Sequence, residues 1–224
     1  MRILALETSA KAVSAAVTED GKVLCSGYQD TGLTHSRTLM PIVEAMLKNT
    51  GLTVQDCDAV AVAAGPGSFT GIRIGVSAAK GLAFAADKPC AAVSTLEAMA
   101  RNVAHMDARR SQIYNALFTS EHGRLTRRTP DRAIGLAELA EELRSEPLPL
   151  VIVGDGAVLC EKALTEAGLP CRLAPPQLVM QNAMSVALCA EDLARAGKLV
   201  SAQELLPVYL RPPQAQRLRQ PPQI

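Results

Sequence analysis

Apolar and polar positions change period several times along the first hundred residues. Residues 3–7, 13–17 and 23–28 are short apolar runs separated by the polar turn Thr8-Ser9-Ala10-Lys11 and by Glu19-Asp20-Gly21, a pattern that predicts three strands in an opening meander. Between His35 and Lys48 the spacing becomes helical, with Leu39, Ile42, Val43, Met46 and Leu47 on one stripe and a stop at Gly51. Residues 59–64 form a continuous run of small apolar side chains, as in a strand buried on both faces. A helix over 70–86 and a strand over 90–93 follow. Strand, helix and strand in succession predict a right-handed crossover, so the expected class is α/β, a mixed sheet flanked by helices.

The second half reads as a strand over 113–119, a turn at Glu121-His122-Gly123, an acidic helix over 136–143 and a strand over 150–153 ending in Gly154-Asp155-Gly156. Helices over 158–167 and 184–196 follow, the latter stopped by Gly197. Pro207, Pro212, Pro213, Pro221 and Pro222 then crowd the end and predict that the last dozen residues are an extended or frayed tail. The organisation expected is a first domain over 1–100, a smaller second α/β domain over 101–206 and a Pro/Arg-rich tail over 207–224.

Composition narrows the function. The chain has 224 residues, 48% hydrophobic and 20% charged, enough to bury a substantial core. Aromatic residues are only 3% and Trp is absent, which argues against a stacking platform for single-stranded nucleic acid. The formal net charge of +1 lacks the overall field of a dedicated nucleic-acid binder. Charge is nevertheless segregated: residues 101–132 hold seven Arg against three acids, and residues 133–168 seven acids against Arg144 and Lys162, read as two solvated faces of opposite sign. The six cysteines are scattered without a CxxC pair and predict reduced thiols. The first apolar run ends at Glu7 and no run approaches 18 residues, so the expectation is a cytoplasmic protein without a membrane span.

The segment most suggestive of a site is Gly65-Pro66-Gly67-Ser68-Phe69-Thr70-Gly71-Ile72-Arg73-Ile74-Gly75, between a buried strand and a helix. Glycines there permit either a tight turn or close approach to a phosphate or a partner. No GK[ST] follows, so it is not a Walker loop. In the following helix Gly71, Gly75, Ala78, Ala79 and Gly81 clear one face for another backbone, within the chain or from a second chain. His35, His105 and His122 have no metal-ligand spacing, and no GxSxG elbow occurs. Carboxylates at predicted element ends, Glu7, Asp58, Glu97, Asp107 and Asp155, read more readily as caps and turns than as catalytic groups.

Four segments together resemble one family: Ile3-Leu4-Ala5-Leu6-Glu7-Thr8-Ser9, the glycine run, Asp107-Ala108-Arg109-Arg110 with Ile113-Tyr114, and Pro207-Val208-Tyr209-Leu210-Arg211. The chain is similar to the TsaB (YeaZ) family, needed for N6-threonylcarbamoyladenosine formation in tRNA. The resemblance implies an actin/sugar-kinase/Hsp70-type fold with a divergent second domain. It also implies a non-catalytic protein that homodimerises alone, pairs with the catalytic paralog TsaD, is joined by the ATPase TsaE and meets tRNA through that complex. The paralog carries a His-Leu-Glu-Gly-His metal motif, where this chain has Thr95-Leu96-Glu97-Ala98-Met99. Neither Thr95 nor Met99 suits such a metal, so no metal and no tightly bound cofactor are expected. The run between residues 100 and 107 is shorter than in the family.

On this reading the partner face comprises Leu39, Val43 and Met46 from the first helix with Gly71, Ile74, Gly75, Ala78 and Gly81 from the second. Glu7, Ser9, Gly65, Gly67, Ser68, Arg73 and Asp155 are expected near a nucleotide, with ATP or ADP at the interface with TsaD. The alternative is a nucleotide hydrolase or phosphotransferase working between the glycine loop and Gly154-Asp155-Gly156, with Glu7 and Asp155 holding a metal or a water. A glycoprotease activity is excluded by the missing histidine pair.

Overall fold

β1 (Arg2–Glu7) is apolar from Ile3 to Leu6, so both of its faces need cover, and the topology provides it. In the computed structural model, which describes residues 1–101, 106–107, 112–121, 124–146 and 150–210, β1 is the middle strand of a five-stranded sheet. β2 (Val13–Glu19) and β3 (Lys22–Gln29) follow as the antiparallel meander. α1 (His35–Thr50) ends on Gly51, whose φ of 67° lets the chain turn and whose N–H caps the helix. β4 (Ala59–Gly65), α2 (Phe69–Ala86) and β5 (Cys90–Ser94) complete the parallel side, giving the order β3-β2-β1-β4-β5. α3 (Thr95–Ala100) starts directly after β5.

The period of two along β1 sorts the core into two layers. Leu4 and Leu6 face α1 and α2, packing with Leu39, Val43, Met46, Ile72 and Val76. Ile3 and Ala5 face the opposite way with Ala16, Ala61 and Ala63. That second face is covered by a helix from far down the chain.

The second half contains β6 (Met106–Asp107), β7 (Gln112–Asn115), β8 (Phe118–Glu121), β9 (Arg124–Arg127) and β10 (Arg132–Gly135). β10-β7-β6 form one sheet and β8-β9 a hairpin. The single strand expected over 113–119 is therefore two strands. Its ladder breaks because Leu117 donates its N–H to Thr129 Oγ1 at 2.8 Å and its carbonyl accepts from the Arg128 N–H at 2.7 Å, while Ala116 turns into the interior beside Leu96 and Met99. The turn at His122-Gly123 lies outside the described residues, as do Ala108-Arg109-Arg110 and Arg211 of the family-like motifs.

α4 (Leu136–Leu143), β11 (Leu150–Ile152), α5 (Ala157–Glu166), β12 (Cys171–Leu173), α6 (Pro176–Val179) and α7 (Ala183–Arg195) follow, with β11 and β12 parallel. The oppositely charged segments partly face each other: Arg132 pairs with Glu142 at 2.8 Å and Arg128 with Glu146 at 3.6 Å. The described cysteines are free thiols, and burial pushes Cys160 up to about 12, so these act as small apolar side chains. Among the described residues no helix is long and apolar enough to cross a membrane.

Two segments pack across the boundaries expected from sequence. α7 lies within the stretch read as a second domain, yet Ala183, Val186, Ala187 and Ala190 pack on the first sheet beside Ile3 and Ala61. The frayed tail expected over the last dozen residues lies outside the described residues, and the segment just before it is packed. Val200 exchanges two backbone hydrogen bonds with Cys90 at 2.7 and 2.9 Å, Leu205 is fully buried, and the Val208 N–H donates to the Ala64 carbonyl at 2.7 Å. Residues 199–209 thus form a strap that covers the β5 edge and returns to the glycine loop.

Candidate functional site

The C-terminal ends of the parallel strands β1, β4 and β5 lie at one edge of the sheet, where α/β proteins place ligands. The β1–β2 turn is polar by sequence, but Thr8, Ser9 and Ala10 are buried because the turn leans on the start of α2. The Ser68 N–H donates to the Ser9 carbonyl at 2.6 Å and Thr8 Oγ1 donates to the Gly71 carbonyl at 2.8 Å. Ser68 Oγ caps the helix by accepting from the Gly71 N–H at 3.2 Å. A Cβ on Gly67 would strike the Ser9 carbonyl, on Gly71 the Thr8 carbonyl, and on Gly75 the Thr8 hydroxyl. Gly65, at a φ of +130°, abuts the Val208 carbonyl of the strap. The small face of α2 is therefore filled at Gly71 and Gly75 by the chain's own turn, which removes both from the expected partner face.

Glu7 closes this corner. It is 1% exposed, its Oε1 accepts from the Ser9 N–H at 2.6 Å, and its Oε2 has no hydrogen-bond partner among the described residues. Burial pushes its carboxyl up to about 7; contacts from Ser9 oppose the rise and the nearby Asp155 charge adds to it. Asp155, on the turn between β11 and α5, accepts from Gln181 Nε2 at 3.5 Å, while the buried Gln181 Oε1 is unpartnered among the described residues. The structure thus brings Glu7, Ser9, Gly67, Ser68 and Asp155 to one corner, with Gly65 at its edge. Gln181 was not distinguishable in sequence, since a Gln before a helix carries no special signal. Chemically the corner offers acceptor oxygens and a carboxyl that exchanges its proton near neutrality.

Arg73 belongs elsewhere. It is exposed on α2, its guanidinium carbon 3.9 Å from the Phe69 ring centroid and 5.7 Å from that of Tyr209, and its Nε donates to Tyr209 Oη at 2.8 Å. With Ser36, Phe69, Thr70, Ile74 and Ser77 it lines an open groove of about 470 Å³ alongside the start of α1. Leu39, Val43 and Met46, expected on the partner face, are buried beneath this surface: a stripe at i, i+4 and i+7 is satisfied by the sheet. Ile74 and Ala78 are half-buried against the same core, and Gly81 is exposed with open space around it. The outward side chains are instead Met40 and Phe84, 42% and 72% exposed.

The remaining carboxylates serve structure. Asp58 accepts from the Arg2 N–H at 2.6 Å. Glu97 pairs with Arg127 at 2.8 Å; that guanidinium also binds Asp131, lies 4.7 Å over the Phe118 ring, and shares Asp131 with Ser94 Oγ. Thr95 and Met99 on the same helix are buried. His35 Nε2 donates to the Ala10 carbonyl at 2.8 Å and ties α1 to the β1–β2 turn. Asp107's side chain, His105 and His122 lie outside the described residues.

Residues 29–204 match the family model for TsaD, tRNA N6-adenosine threonylcarbamoyltransferase. The tRNA threonylcarbamoyladenosine biosynthesis protein TsaB of Escherichia coli is 32% identical over 94% of this chain and 95% of its own length. This chain belongs to the TsaB family. TsaB of Bacillus subtilis is 34% identical over 74% of this chain and 76% of its own. The fold agrees with that of YeaZ from Pseudomonas aeruginosa, at 27% identity and a TM-score of 0.77, covering 93% of this chain and 99% of that one. The mixed sheet β3-β2-β1-β4-β5 between helical layers is the α/β arrangement expected from the sequence.

Proposed function

We propose that this chain acts in forming N6-threonylcarbamoyladenosine in tRNA as a non-catalytic partner of a TsaD-type transferase, meeting it through the exposed ridge of α1 and α2. The observation that carries this reading is α3. At the positions of the paralog's metal-binding histidines, Thr95 and Met99 point into the interior, Met99 packing with Leu96, Ala100 and Ala116, and Glu97 between them is held by Arg127. A segment committed to packing and an internal ion pair is unsuited to hold a catalytic metal.

The ridge that supports pairing comprises Met40, Phe69, Thr70, Arg73, Ile74 and Phe84. It serves a second copy when the chain is alone and TsaD when TsaD is present. TsaE joins that complex and tRNA reaches this chain through it. With tRNA and an activated threonylcarbamoyl donor supplied, mixing purified chain with the TsaD-type transferase and the ATPase subunit should produce tRNA modification that those two proteins do not achieve without this chain. Modification of tRNA by this chain alone would overturn the reading.

A second reading rests on the corner at Glu7. Its Oε2, unpartnered among the described residues, with the Gln181 oxygen and Asp155 close by, supports a nucleotide-binding or hydrolytic role there, and ATP or ADP either in this corner or at the interface with TsaD. Calorimetric titration with ADP and with ATP, on wild type and Asp155→Ala, decides it. Turnover of ATP by the isolated chain would favour an enzyme.

A further inference from the structure

Among the described residues, Arg2, Arg101, Arg127, Arg128, Arg132, Arg144 and Arg195 each pair with a carboxylate within the chain. Arg73, like Arg37 and Arg172, pairs with none among the described residues, and it differs from those two in being held against aromatic rings. Its guanidinium is stacked on Phe69, tethered through Nε to Tyr209 Oη at 2.8 Å, and opens onto the groove beside Thr70 and Ser77. Stacking occupies the faces of a guanidinium and leaves its in-plane terminal N–H donors for an anion. The two rings and the tether also remove much of the rotamer freedom that an exposed Arg would lose on binding.

We infer that Arg73 is a recognition residue for an acidic partner: an Asp or Glu side chain of the partner protein enters the α1/α2 groove and takes the terminal N–H groups of Arg73 as a bidentate pair. This rests on the proposed pairing through the same ridge and adds the chemistry that the partner must present. Among the described residues no carboxylate lines the groove, and its other polar groups are the hydroxyls of Ser36, Thr70 and Ser77. One guanidinium matches one carboxylate in charge and in its planar fork. A phosphate would call for more donors than one guanidinium offers, and two backbone N–H groups of the glycine loop are turned to acceptors within the chain, Ser68 to the Ser9 carbonyl and Gly71 to the Ser68 hydroxyl. Tyr209 is a positioning residue here, so the strap that carries it sets the aim of Arg73.

The test measures affinity of the full chain for the TsaD-type transferase of the same organism at low and at moderate salt, with Arg73→Glu, Arg73→Ala and Tyr209→Phe, after confirming unchanged melting temperatures. Arg73→Glu should weaken binding by about thirtyfold or more and Arg73→Ala by about tenfold, with a flatter salt dependence, and Tyr209→Phe by a few fold. Binding by Arg73→Glu within about twofold of wild type overturns the assignment while leaving the pairing intact. Wild type that fails to bind the transferase overturns the pairing and this inference with it. Binding that requires added ADP or inorganic phosphate in wild type, and loses that requirement in Arg73→Glu, assigns the anion to a phosphate and overturns the carboxylate.

Discussion

At the scale of single residues, Glu7 couples stability to pH. Its folded value of about 7 lies above the ordinary 4.5, so the folded state holds a proton that the unfolded chain has released. Its contribution is fully present below about pH 4.5 and is lost as the pH rises through about 7, a difference of roughly 3 kcal/mol. Glu7→Gln should remove that loss, so urea midpoints at pH 8 should exceed those of wild type and change less between pH 5 and 8. A wild-type midpoint that does not fall over that interval would show the carboxyl to be ordinary.

The glycines of α2 give a second comparison at the same scale. Gly71 sits against the Thr8 backbone, whereas a Cβ added to Gly81 would meet nothing within 4 Å. Gly81→Ala should stabilise by about 0.5–1 kcal/mol, the ordinary helix-interior difference. Gly71→Ala should instead destabilise by about 1–3 kcal/mol, because a carbonyl on the partner turn has to move. Equal effects of the two substitutions in thermal melts would contradict the packing of the β1–β2 turn on α2.

Among elements, the strap is the least expected. Leu205 is fully buried, and Lys80 donates to the Gln203 and Leu205 carbonyls at 3.1 and 3.2 Å. A strap held in this way behaves as a sixth element of the sheet edge and not as a tail. Leu205→Ala should cost about 2–4 kcal/mol, the range for a truncated core leucine. Rapid proteolytic release of residues 200–210 from the wild type, with the remainder still folded, would refute it.

At the scale of the whole molecule, α7 joins the two halves of the sequence. Its alanines and Val186 cover the face of the sheet that carries Ile3, Ala5, Ala16 and Ala61. A fragment of residues 1–100 should therefore expose that face and fail to fold cooperatively, while the full chain should unfold in one urea transition followed equally by circular dichroism and tyrosine fluorescence. A fragment that melts cooperatively would restore the division at residue 100.

The sequence alone determined the local elements wherever one period dominates. The meander, α1, β4 and α2 follow from alternation, from a stripe at three and four residues, and from glycine stops, all of which act within a few residues. The glycine run and the TsaB-like motifs made the family legible for the same reason, since their residue types and spacing are local. What covers a face is not local. Leu39, Val43 and Met46 look alike whether a sheet or a second chain buries them, and Gly71 looks alike whether Thr8 or another helix fills the space. Only tertiary structure decided that these residues pack inward, that Arg73 leaves the Glu7 corner for the α1/α2 groove, and that α7 and the strap return to the first sheet. Those outcomes depend on contacts between residues far apart in the chain, such as the 169 positions that separate Ser14 from the Ala183 N–H it accepts, and no periodicity encodes such a pair.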